Sequence, residues 1–165
     1  MLHGPTSPFH DYLASLHAEL SGLTEGEVAD YIPELAKAAP ESFAISFATV
    51  EGRVYSVGES GTAFSIQSVS KPFAYGAALR RLGADAVLAK VGVEPTGEAF
   101  NSIVLDEKNN RPFNPMVNAG AIAIAALAEG ATQQARVAQM QATFSAFAGR
   151  ALSVDAAVHA SERET

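Results

Sequence analysis

The pattern that most constrains the fold is one stretch of two-residue periodicity in a chain that is otherwise helical in pattern. Large apolar residues alternate with small or polar ones from Phe43 to Val50, and alternation resumes from Arg53 to Gly58 after the turn Glu51-Gly52. Such alternation puts every second side chain on one face of a strand, so the segment predicts a β-hairpin. A lone hairpin is marginally stable in water, so it needs further strands or a covering helix.

The segments before the hairpin carry helix signals. Ser7-Pro8 is typical of a helix start, with an N-cap serine followed by proline at the first position, and Ser21-Gly22 ends the apolar periodicity that follows. Thr24, with Glu27 three residues later, predicts a second capping box.

After the hairpin, the pattern predicts three helices and a long structured loop before a final amphipathic helix. The helix that contains Ser68 is expected to stop at Gly83. Prolines, asparagines and glycines predict the loop, and loops of that length in compact domains are usually functional. The later segments are a short helix at 84–91, the loop at 92–118, a buried helix at 121–128 and an amphipathic helix at 133–148.

Composition narrows the class of protein. The 165 residues are 48% hydrophobic and 18% charged, which favours one globular domain over 1–165. A net charge of −7 without a basic stripe predicts no nucleic-acid partner. The chain has no cysteine, and His10 and His17 have no third ligand beside them, so we expect no metal. Without a signal peptide or a membrane-length apolar run, we expect a cytoplasmic protein with no membrane partner.

The segment Gln67-Ser68-Val69-Ser70-Lys71-Pro72 carries the chemistry. Residues three apart on a helix share a face, so Ser68 and Lys71 are expected to point into one pocket. A serine hydroxyl becomes a nucleophile when a base takes its proton, and a lysine whose pKa is lowered by burial can be that base. This is the logic of the Ser-x-x-Lys enzymes. On its own, with only two of its four positions fixed, the pattern favours an ordinary surface helix start.

Four further segments change that interpretation. In their order and spacing they resemble the serine-dependent glutaminases, which hydrolyse L-glutamine to L-glutamate and ammonia. The resemblance runs from about Glu27 to the last residue. The segments are Val28-Ala29-Asp30-Tyr31-Ile32-Pro33-Glu34-Leu35-Ala36, then Val91-Gly92-Val93-Glu94-Pro95-Thr96-Gly97 with Phe100-Asn101-Ser102-Ile103, then Arg111-Pro112-Phe113-Asn114-Pro115-Met116-Val117-Asn118-Ala119-Gly120, and Ser161-Glu162-Arg163-Glu164-Thr165.

The resemblance implies an α+β fold of the β-lactamase/penicillin-binding-protein-like type, C-terminally truncated, with a helical lobe and part of an antiparallel sheet. Family members run to nearly twice this length, so we expect the N-terminal half of a glutaminase domain. The strands that would complete the sheet, two site tyrosines and a further substrate-binding asparagine belong to the other half. The resemblance also implies a homo-oligomer and no cofactor.

The resemblance assigns Ser68 and Lys71 to catalysis, and it assigns Asn118, Glu162 and Tyr31 to substrate binding together with Ser68. An amide N–H of Asn118 suits a carboxylate, and the Glu162 carboxylate suits an ammonium group. Without the motifs, Asn118 is better interpreted as a turn asparagine and Glu162 as a solvated carboxylate. Tyr31 is equally typical of a tyrosine packed beside Pro33.

Two alternatives to an active glutaminase stay open from the sequence. The chain is either an inactive or split fragment that needs its C-terminal half, or another Ser-x-x-Lys hydrolase acting on a β-lactam or a peptide. The absence of an export signal and the motifs around Asn118 and Glu162 argue against the second. Because its sheet would keep an unpaired edge, we also predict that the 165-residue chain is poorly stable, oligomeric or prone to aggregation.

Overall fold

The computed structural model describes residues 7–97, 99, 101–106 and 108–164. Of the motifs quoted above, Phe100 and Thr165 lie outside these residues. The chain forms two compact units, one from Met1–Ser65 with Asp155–Thr165 and the other from Ile66–Val154. The expectation of one domain over 1–165 stays a prediction.

The first unit is built on a helix and a hairpin, as predicted. Helix α1 spans Pro8–Leu20, and the antiparallel strands β1 and β2 span Ala44–Ala48 and Val54–Gly58. Ser7 occupies the N-cap of α1, but its side chain makes no capping hydrogen bond.

Aromatic side chains join α1 to one face of the hairpin. Phe9 stacks on Phe47 with ring centroids 6.1 Å apart, and it contacts Tyr55 at 5.6 Å. Further along α1, the His17 ring stacks on Phe43 at 4.7 Å, and its Nε2 lies 3.2 Å from the Phe43 carbonyl oxygen. The hairpin therefore gains the helical cover that a two-stranded sheet requires.

The rest of the first unit differs from the sequence prediction. No helix begins at Thr24, so the predicted capping box is wrong; that segment has no regular secondary structure and leads through the buried Ile32 to the 3₁₀ turn Leu35–Lys37. A helix that was not predicted, α6, spans Ala156–Glu164. The Asp155 carboxylate accepts from two N–H groups of its first turn, which is the N-cap signal that sequence reasoning missed.

The second unit is largely helical. A 3₁₀ turn at Gln67–Val69 leads directly into helix α2, Ser70–Leu82, which ends before Gly83 at a positive φ of 82°. Helix α3, Ala84–Leu88, is shorter than predicted. The core of this unit is small and consists of Ala78, Val87, Val91 and Ile124.

The predicted loop before α4 contains two short strands that periodicity cannot detect. Strands β3, Leu105–Asp106, and β4, Arg111–Pro112, pair antiparallel. Helix α4 spans Asn118–Ala125 and starts three residues earlier than predicted. Helix α5 spans Gln133–Ala148, as predicted, and the Thr132 hydroxyl caps it by accepting from the Ala135 N–H at 3.2 Å.

Each of the two sheets formed by the described residues has two strands, so β1 and β2 each keep an unpaired edge within that part of the chain. Among the same residues, no helix combines the length and the apolar character needed to cross a membrane.

Candidate active site

The turn before α2 presents Ser68 at the surface. Ser68 is exposed and lies in the 3₁₀ turn that runs into the helix, so it sits one turn before Lys71, as the spacing predicts. The residue before it, Gln67, has a φ of 37°, which is uncommon for a residue with a side chain. The Ser70 hydroxyl donates to the Gln67 carbonyl at 2.6 Å and braces this turn.

The Lys71 amine is held by two acceptors from a distant part of the chain. Its Nζ donates to the Met116 carbonyl at 3.1 Å and to Asn118 Oδ1 at 2.7 Å. The side chain is partly buried, and this desolvation lowers the pKa of Lys71 from its ordinary value of 10.5. A neutral amine has two N–H donors and one lone pair, so two acceptors use both donors and leave the lone pair to receive a proton.

The segment that begins α4 supplies both acceptors. Asn118 is the first residue of that helix, and Met116 lies two residues before it. Three of the five predicted site residues thus lie in the second unit, where Lys71 is hydrogen-bonded to Asn118 and Ser68 lies one turn before Lys71.

The other two predicted site residues belong to the first unit. Tyr31 is 60% exposed and lies in a bend next to the buried Ile32. Glu162 is exposed on α6. Their assignment to substrate binding stays a prediction.

Sequence reasoning missed one group of this site, the Met116 carbonyl. A backbone carbonyl carries no residue-type signal, so only the path of the loop reveals it. No group of three or more histidine, aspartate or glutamate residues suited to a metal ion occurs in the part of the chain that the structure describes.

Comparison with known proteins identifies the family. The family model described as Glutaminase matches residues 26–165, and the chain belongs to this family. A glutaminase from Trichormus variabilis is 53% identical over 159 residues, which cover 96% of this chain and 48% of the relative. A glutaminase from Corynebacterium glutamicum is 47% identical over 159 residues, which cover 95% of this chain and 38% of the relative.

Solved structures agree with this assignment. A crystal structure of Mglu in its tris and glutamate form has a TM-score of 0.90 and 45% identity, over 97% of this chain and 36% of that one. A structure described as probable glutaminase ybaS has a TM-score of 0.89 and 33% identity, over 94% of this chain and 51% of that one. The chain therefore has part of the β-lactamase-like α+β fold of these glutaminases, as the sequence predicted.

The chain spans about half the length, 48%, of the first curated relatives that it matches.

Proposed function

We propose that the protein hydrolyses L-glutamine to L-glutamate and ammonia, with Ser68 as the nucleophile and Lys71 as the base. Family membership supports the reaction. The observation that carries the mechanism is the lysine amine, which is partly buried and bound by the Met116 carbonyl and Asn118 Oδ1 one turn after the serine.

The lowered pKa of Lys71 is what this role needs. An ordinary lysine is fully protonated near neutral pH and has no lone pair to offer. Desolvation disfavours the charged ammonium, so a larger fraction of Lys71 is neutral at a given pH than of an exposed lysine. With both N–H donors of the neutral amine engaged, its lone pair is the acceptor for the Ser68 proton.

The reaction then proceeds by acyl transfer in two steps. Ser68 Oγ attacks the side-chain amide carbon of glutamine while its proton passes to Lys71 Nζ. The C–N bond breaks, Lys71 returns the proton to the leaving nitrogen, and ammonia departs from a glutamyl ester on Ser68. Water, deprotonated by Lys71, attacks the ester carbon, and the proton returns to Ser68 Oγ as glutamate leaves.

The oxyanion of each tetrahedral intermediate needs N–H donors. The backbone N–H of Ser68 is one candidate, because it lies at the start of a continuous helical segment, where the free N–H groups and the positive end of the helix dipole favour negative charge.

The α-carboxylate and α-ammonium groups of glutamine need partners of opposite kind. Asn118 binds Lys71 through Oδ1, so its Nδ2 donors are the part of the side chain suited to the α-carboxylate. We assign the α-ammonium group to the Glu162 carboxylate and place Tyr31 beside the substrate, following the family motifs. We also expect a cytoplasmic homo-oligomer.

Ammonia release from L-glutamine by the purified chain, measured beside a Ser68→Ala variant, tests the proposal. We expect release by the unmodified chain and none by the variant. Intact-mass spectrometry after treatment with a glutamine analogue that carries an electrophile at the side-chain carbonyl should find one adduct, on Ser68. Equal release by both proteins would refute the serine mechanism, and no release or adduct with either would refute glutaminase activity for this chain by itself.

A further inference from the structure

Asn114 fixes the loop from which both hydrogen-bond partners of Lys71 come. Its Oδ1 accepts from the Met116 N–H at 2.7 Å, and its Nδ2 donates to the Glu94 carbonyl at 3.2 Å. The first bond closes an Asx turn, in which an asparagine side chain bonds to the backbone two residues later. The same side chain thus sets the local turn and ties it to another segment.

That other segment is itself anchored. The Gly92 N–H donates to the Pro112 carbonyl at 2.8 Å, and the Glu94 N–H donates to the Phe113 carbonyl at 3.1 Å. The bond from Asn114 Nδ2 to the Glu94 carbonyl continues this ladder by one step. The loop therefore leaves a hydrogen-bonded pair of segments in a defined direction.

Helix α4 holds the opposite side of Asn114. Gly120 packs so closely on this residue that a Cβ atom at position 120 would lie 1.9 Å from the Asn114 carbonyl oxygen. Asn114 is therefore held both by the Glu94 segment and by the first turn of α4, and the Met116 carbonyl of this turn accepts from Lys71 Nζ.

We infer that Asn114 is a positioning residue for Lys71, acting by aiming the Met116 carbonyl at the amine through the bond from Met116 N–H to Asn114 Oδ1. The inference rests on the proposed function, in which Lys71 is the base. The hydrogen bonds of Asn114 and Met116 do not depend on that function. If Asn114 only shaped the turn before Pro115, substitutions at position 114 would not change the pKa of Lys71.

The pKa of Lys71, measured directly by NMR, tests the inference. The chain has four lysines, so lysine labelled with ¹³C at Cε gives four signals, and a Lys71→Arg variant assigns one of them. Asn114→Ala removes both side-chain bonds. Asn114→Ser removes the bond to Glu94 but keeps a hydroxyl that accepts from the N–H two residues later. These two variants differ in the Met116 bond alone.

We expect the Lys71 pKa to rise toward 10.5 in Asn114→Ala, because water then replaces the Met116 carbonyl as the acceptor and also relieves the desolvation that lowers this pKa. In Asn114→Ser it should stay where it is in the unmodified chain. Asn109→Ala, which changes an exposed asparagine in the β3–β4 turn, is the matched control and should also leave it unchanged. An unchanged or lower pKa in Asn114→Ala, or the same pKa in the alanine and serine variants, would overturn the inference.

If the Asn114→Ala variant does not fold, Asn114→Gln takes its place in this comparison. Glutamine keeps the amide, but its extra methylene prevents the Asx turn, so the Lys71 pKa should again rise, and an unchanged value would overturn the inference. The NMR titration needs no turnover. A chain without glutaminase activity would therefore refute the proposed function, whereas the Lys71 pKa values would still test the positioning role of Asn114.

Discussion

Replacing Gly120 by alanine should destabilise the protein, although alanine is the better helix former. The new Cβ would lie 1.9 Å from the Asn114 carbonyl oxygen, 2.7 Å from the Asn114 carbonyl carbon and 2.9 Å from Pro115 Cα. All three atoms belong to the backbone, so no side chain can rotate to relieve the contact. Since unstrained heavy-atom contacts need about 3.5 Å, the loop at 114–115 must move by about 1.5 Å.

Two opposing energies set the size of the effect. Within a helix, alanine stabilises the folded state by about 1 kcal/mol relative to glycine. Overpacking of a closely packed site costs about 1–3 kcal/mol, and the contact with backbone places Gly120 at the upper end of that range. The net expectation is a loss of about 2 kcal/mol, which corresponds to a fall in Tm of about 4–8 °C for a chain of this size.

Gly76 provides the matched control. It lies inside α2, and nothing approaches within 4 Å of the position that its Cβ would occupy. Gly76→Ala should therefore stabilise the protein by about 0.5–1 kcal/mol. Urea unfolding of the three proteins, followed by circular dichroism, measures both changes. A Gly120→Ala variant as stable as Gly76→Ala would refute the claim that the 114–115 backbone is fixed against α4.

Two further predictions concern pH and association. Because Lys71 binds its proton less tightly in the folded chain than in the unfolded one, its contribution to stability should rise as pH increases from the folded pKa toward 10.5; Lys71→Met should flatten that rise in urea unfolding measured between pH 8 and 10.5. Because β1 and β2 keep unpaired edges in the described residues, size-exclusion chromatography of the purified chain should show oligomers or aggregates, and a monomer that unfolds in one cooperative thermal transition would contradict this.

Local patterns were sufficient wherever the determinant lies within a few residues. The turn Glu51-Gly52 and the alternation beside it specify the hairpin, and Thr132 and Gly149 bound α5 through a cap and a left-handed C-terminal residue. The same local reasoning failed at Thr24 and Glu27, where the capping-box pattern is present but Pro33 interrupts the apolar residues that follow it.

Part of the candidate site is local in the same sense. Ser68 and Lys71 share a turn because three residues separate them, and a helical segment fixes that relation whatever surrounds it. The proposed role of Asn118 rests on the family motif rather than on spacing, since an asparagine beside glycine and proline is also typical of a turn.

What the sequence by itself determined is the hairpin, most of the helices and the pairing of a serine with a lysine on one turn, because hydrogen bonding and periodicity act over a few residues. The tertiary structure alone decided what surrounds the lysine amine. Its two acceptors lie 45 and 47 residues further along the chain, and one of them is a backbone carbonyl with no residue-type signal. Their approach depends on how the loop at 92–117 packs against α4, and no local pattern specifies the closing of a loop of that length.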